Sequence, residues 1–211
     1  MRKRFYLVMS IVFWLVMVVG FSDNWLFDVR QESNSEPKFL IHAFLAFSWF
    51  SLLVVQASLM QARRVAAHMT VGVAGIVAYA GFFAATSYIY VSRALTEGAL
   101  SRLAVLNVAM FAFATVLIVK AFLVRHKDSR LHKTNIIIGT FMLMEPGISR
   151  TLGLFGEGQE PLWLLAYLVE LLSILVYRVT DSSGLPADLS LIDSIDKLDA
   201  GDDVGKLSKA A

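Results

Sequence analysis

His42, Gln56, His68 and Glu170 interrupt strongly apolar runs, while His132, Asn135 and Glu145 belong to a more polar one and Arg150 follows it. Two imidazoles on different helices at one depth can supply the two axial nitrogens of a b-type haem. His68 and His132 form such a pair. His42 has no second histidine on its side, so a further haem there needs Met142 or Met144 as its other ligand. The same groups also suit a second chemistry. His42, Glu145, Glu170 and the inner histidines make a path of titratable side chains of the kind a proton-coupled transporter uses. Glu145 with His42 is a carboxylate–histidine pair without a third metal ligand, so no metal can be assigned. No G-x-S-x-G, no H-E-x-x-H and no intramembrane Asp pair is present, and no catalytic residue follows from motif.

The elements that must position these residues follow from composition. The chain has 211 residues, of which 57% are hydrophobic and 17% charged, with a mean hydropathy of +0.64. Soluble domains carry about 45–50% apolar and about 25% charged residues. The surplus apolar surface requires lipid as its solvent, which excludes a soluble enzyme, a nucleic-acid-binding module and a disordered chain. The absence of cysteine removes disulfides, thiolate metal sites, cysteine-held iron–sulfur clusters and cysteine nucleophiles.

A spanning helix needs about 20 mostly apolar residues. Six runs qualify, at 5–21, 39–61, 65–91, 103–124, 131–146 and 162–179. They are continuous rather than alternating, so the fold class is all-α: a polytopic six-helix transmembrane bundle spanning residues 1–179. The first run follows Met1-Arg2-Lys3-Arg4 but lacks an A-x-A cleavage site, which favours a retained anchor over a signal peptide. Lys and Arg concentrate at the N-terminus, at 63–64 and at 125–133, whereas acidic residues dilute them in the opposite loops. The positive-inside rule then predicts both termini on the cytoplasmic side of an inner membrane. Residues 180–211 hold seven Asp and three Lys. They read as a solvated acidic tail, with docking to a cytoplasmic protein as the alternative.

Periodicity groups the polar residues. His42, Trp49 and Gln56 recur every seventh residue on one face of the second span. His68, Gly72, Gly75 and Tyr79 share a face of the third, and Ala74, Ala78, Gly81 and Ala85 form a small-residue packing stripe beside it. The fifth run is unusually polar and is expected to be enclosed by the others, stopping or kinking at Pro146. Lys120 can snorkel to the surface, and Trp14, Trp25 and Tyr90 read as interfacial belt residues. By depth, His42, Glu145 and Arg150 form an outer group. His68, His132, Asn135 and Gln56 form an inner one, about 25 Å away at 1.5 Å per residue. Glu170 falls near mid-membrane.

The run His42-x6-Trp49-x6-Gln56-x2-Leu59-x8-His68-x3-Gly72, with His132-Lys133 and Pro146-x3-Arg150, resembles a pattern in uncharacterised bacterial multi-spanning membrane proteins. That resemblance implies one constellation of His42, Gln56, His68, His132 and Arg150, and no substrate. The histidine-bearing helices are also loosely similar to membrane b-type cytochromes, which implies haem b through His68 and His132. The functional expectation is therefore haem- or metal-linked redox work at a buried His/Gln/Glu site. Proton-coupled transport is the alternative, and a non-catalytic assembly or regulatory anchor a third. The expected partners are the lipid bilayer and, through the tail, a cytoplasmic protein, with no nucleic acid.

Overall fold

A computed structural model describes residues 4–99 and 102–153, all within the first of two compact units, Met1–Leu171 and Leu172–Ala211. The described residues are helical, with no strand among them. The helices are α1 (Phe5–Gly20), α2 (Pro37–Gln61), α3 (Val65–Glu97), α4 (Arg102–Val124), α5 (Ser129–Met142) and α6 (Glu145–Gly153). Between α1 and α2 the chain makes a π-helical turn, Asp23–Phe27, and a 3₁₀ turn, Glu32–Asn34. The sixth expected span at 162–179, Glu170 within it and the acidic tail lie outside the described residues.

The protein is apolar on its outside. α2, α3 and Asn107–Val124 of α4 are long and apolar enough to cross a membrane, yet only 22%, 22% and 17% of their most apolar windows are buried. Large side chains such as Phe44, Val77 and Leu123 point outward at 72%, 67% and 73% exposure. Water would not tolerate a surface of this kind; lipid does. α1 is apolar as well but shorter, at 16 residues.

Packing joins α2 to α3, α4 to α5, and α1 to both α2 and α6, whereas the backbones of α3 and α4 scarcely approach. Aromatic side chains fill that wider gap. Trp49 lies 4.8 Å from Tyr79, and Phe82 of α3 meets Phe111 of α4 edge-on at 6.0 Å. The Tyr79 and Thr115 hydroxyls also meet at 2.9 Å. Trp14 is a structural residue rather than a belt residue, since its indole Nε1 donates to Ser51 Oγ of α2 at 3.0 Å. On α3 the buried face is Gly75, Tyr79, Phe82, Thr86 and Ile89, which extends the His68 stripe. Of the small-residue stripe, Gly81 packs against Leu45, and Ala74 is exposed.

Element boundaries depart from expectation at two places. α3 runs to Glu97, one and a half turns beyond residue 91. The fifth span does not reach Pro146: α5 ends at Met142, Leu143–Met144 form a turn, and Pro146 lies in the first turn of α6. Proline lacks an N–H that the first turn of a helix does not need, so here it opens a helix instead of ending one.

Two residues adopt left-handed backbone. Gly98 (φ 72°) closes α3, and Arg63 (φ 56°) forms the three-residue turn into α3. The Arg64 N–H closes that turn onto the Leu59 carbonyl at 2.8 Å. The same conformation is free at one site and strained at the other. Arg63→Gly should therefore stabilise by up to about 1 kcal/mol, whereas Gly98→Ala should destabilise by about 1 kcal/mol. Thermal midpoints in one detergent check this; shifts of the same sign would refute it.

Candidate functional site

α5 has 14 residues and so rises only about 21 Å, short of the roughly 30 Å hydrocarbon layer. It stops beside the first turns of α4, and the break leaves a hollow that none of the described helices fills. The ends of α1 and α3, the starts of α2 and α4 and the α5–α6 break enclose a cavity of about 740 Å³. Its walls are mostly apolar, with Phe44, Phe47, Phe82, Phe111 and Met142 prominent among them. His42, Thr86, Tyr90, Asn107, Glu145 and Arg150 are the polar groups that matter for its chemistry. The outer group expected from depth, His42, Glu145 and Arg150, is thus assembled around one space.

Each polar group is held by local geometry. Thr86 sits one turn after Phe82 and donates its only hydroxyl proton to the Phe82 carbonyl at 2.7 Å. Its oxygen lies 3.2 Å from His42 Nδ1, so Nδ1 must be the donor in that contact. The neutral imidazole then carries its lone pair on Nε2. Glu145 is buried at the break, with the Asn107 and Tyr90 side chains within electrostatic reach of its carboxyl group, while the Ser149 hydroxyl donates to the Pro146 carbonyl at 3.3 Å. A carboxylate only accepts, so Nδ2 is the Asn107 atom suited to face it. Asn107 Oδ1 is left buried without a partner among the described residues.

Arg150 closes the end of the cavity at the α1–α2 loop. Its Nη1 donates to Asp23 Oδ2 at 3.3 Å and Asn24 Oδ1 at 3.1 Å, and its guanidinium covers the Phe21 ring at 4.7 Å. Asn24, Gln31 and Asn34 knit the loop beneath it: Asn34 Nδ2 donates to the Asn24 carbonyl at 2.6 Å, and Gln31 Nε2 to Asp23 Oδ2 at 3.2 Å. Side-chain amides that satisfy backbone carbonyls let an irregular loop seal the end of a bundle. The same loop brings Trp25 to the cavity wall.

The residues expected as the inner group, Gln56, His68, His132 and Asn135, do not line this cavity. His132 Nδ1 donates to the Ala121 carbonyl at 2.9 Å, which fixes its tautomer and leaves Nε2 as a ligand atom. His68 acts on it electrostatically. Both Gln56 amide atoms, His68 Nδ1 and Asn135 Nδ2 are buried without partners among the described residues, and Gly72 leaves space beside the Gln56 amide. Neither His68 nor His132 lines the large cavity or the smaller one near Val54–Arg64. Among the described residues no group of three His, Asp or Glu is placed to hold a metal ion.

Thr86 and Asn107 escaped the reading from sequence. Thr86 lies on the His68–Tyr79 stripe, two turns further on, and Asn107 is the one amide in the apolar fourth run. Both signals were available. No known protein family, curated protein or solved structure matches the chain.

Proposed function

We propose that this is a six-span membrane protein, with both termini on the cytoplasmic side, that binds a lipid-soluble ligand in the cavity at its outer end. One observation carries the reading: a space of about 740 Å³ with apolar walls gathers His42, Asn107 and Glu145 at one place. Ligand pockets combine apolar lining with a few convergent polar groups in this way. Lipid-facing Phe44 and Phe47 stand at its edge, so a hydrocarbon tail can pass from bilayer to cavity without crossing water.

The orientation is tested with single cysteines, since the chain has none. An impermeant maleimide should label Arg30→Cys in intact cells and Lys127→Cys only after lysis; the reverse pattern would invert the topology. Binding is tested on protein in lipid nanodiscs by displacement of a tritiated amphiphile. Saturable uptake at one site per chain supports the reading, and uptake that never saturates counts against it.

The His132 tautomer, which leaves Nε2 as the ligand atom, with His68 within electrostatic reach, favours a second reading, in which these two histidines hold a haem. A Soret band that disappears in both His68→Ala and His132→Ala would establish it. A flat spectrum from cells with ample haem supply would remove it.

A further inference from the structure

We infer that the cavity selects a neutral hydroxyl head group, a hydrogen-bond donor on a hydrocarbon tail, taken up by His42 Nε2 and Asn107 Oδ1. This inference rests on the ligand-binding reading above and names the chemistry of the head.

The argument is an inventory of hydrogen atoms. Thr86 spends its proton on the Phe82 carbonyl and accepts from His42 Nδ1. His42 therefore presents an acceptor, Nε2, in a ring that lies 5.3 Å from Phe82. Asn107, close to Glu145, keeps a buried acceptor, Oδ1, without a partner among the described residues. Glu145 is itself an acceptor. Both lining arginines have acidic partners: Arg150 Nη1 donates to Asp23 and Asn24, and Arg93 Nε lies 3.4 Å from Glu97. His42 Nε2 and Asn107 Oδ1 are the acceptors left without a hydrogen among the described residues, and a buried acceptor without a partner favours any ligand that supplies one.

Charge narrows the class further. A phosphate or carboxylate head would bring more acceptors against Glu145, His42 and Asn107, and would compete with Asp23 and Glu97 for the arginines. An ammonium head would meet Arg93 and Arg150, two cations against one carboxylate among these lining residues. Unfavourable charge placement rejects partners more strongly than favourable placement gains affinity. A hydroxyl avoids both penalties. Two membrane sources carry that chemistry: an aromatic diol such as a quinol, and an aliphatic alcohol such as diacylglycerol.

The experiment uses the full chain in nanodiscs and four competitors against the tritiated amphiphile: a short-tailed quinol, its dimethyl ether, dioctanoylglycerol and dioctanoyl phosphatidic acid. At least one alcohol should bind roughly five- to tenfold more tightly than the ether or the phosphatidic acid, as loss of one or two hydrogen bonds predicts. Which alcohol leads identifies the source. His42→Leu should cut that preference to less than about twofold. His42→Gln, which can place an amide oxygen near the Nε2 position, should keep most of it. Thr86→Val keeps the shape of the wall and removes the acceptor of the Nδ1 proton, so it should change the ¹⁵N tautomer signature of His42. Equal binding of ether and alcohol to the parent would overturn the inference while leaving amphiphile binding intact. Tightest binding by the phosphatidic acid would overturn it as well. Failure of all four to displace the probe would instead refute the ligand-binding reading itself.

Discussion

Gly139→Leu is expected to abolish recovery of a folded, monodisperse protein. A Cβ at Gly139 would lie 2.7 Å from Ile118 Cγ1 and 3.1 Å from the Ala114 carbonyl oxygen. Ile118 and Ala114 are fully buried, so α4 has no room to retreat. Overpacking of this kind costs about 1–3 kcal/mol where side chains can adjust. It costs more where a backbone atom stands in the way, and helices in lipid depend on close approach because apolar surface gains little from burial there. Gly139→Ala should be intermediate, and adding Ile118→Ala should recover part of the loss by removing the nearer obstacle. Size-exclusion profiles and thermal midpoints measure all three proteins. A Gly139→Leu protein as stable as the parent would mean that the α4–α5 crossing is looser than described.

The second large effect belongs to the crossing of α1 and α6. A Cβ at Gly20 would collide with the Gly147 backbone and would lie 2.9 Å from Thr151 Oγ1. The one Thr151 hydroxyl proton is shared between the Gly147 carbonyl at 2.7 Å and, across the crossing, the Val16 carbonyl at 3.2 Å. Gly20→Leu should therefore lift α6 off α1 and, with it, the Arg150 clip and the Glu145 wall. Unlike the α4–α5 case, the helices that carry most of the core stay packed, so the protein should still be purified. A bismaleimide link between Val16→Cys and Thr151→Cys should form readily in the parent background and several-fold less in Gly20→Leu. Amphiphile binding should fall alongside it. Undiminished cross-linking would show that α6 is held by something other than this contact.

The parts of this architecture that could be read from sequence are those written in periodicity. The His42–Trp49–Gln56 spacing identified the inward face of α2, and Trp49 is 2% exposed. The polarity of the fifth run signalled enclosure, and Thr134, Asn135, Gly139 and Thr140 are buried. What escaped had weaker or longer-range signals. Thr86 disturbs hydropathy so little that its hydrogen bond to His42 leaves no trace in a window average. Pro146 is ambiguous by chemistry, since it both ends and begins helices. The contact of Arg150 with Asp23 spans 127 residues, and no local pattern encodes a partner that distant. Glu170 was read as a mid-membrane carboxylate and lies outside the described residues.

The length of α3 has a consequence for where a ligand comes from. Its 33 residues amount to about 50 Å of helix. Even at a tilt of about 40°, the steep end of the usual range, that is roughly 38 Å of depth against about 30 Å of hydrocarbon. Because the tight turn at Arg63 holds the other end near the cytoplasmic surface in the proposed orientation, the excess emerges on the outer side. Tyr90 and Arg93 then sit at the edge of the hydrocarbon and at headgroup level. Occupancy of the cavity would follow the composition of one leaflet, and a compound confined to the opposite leaflet would reach it only as fast as it flips.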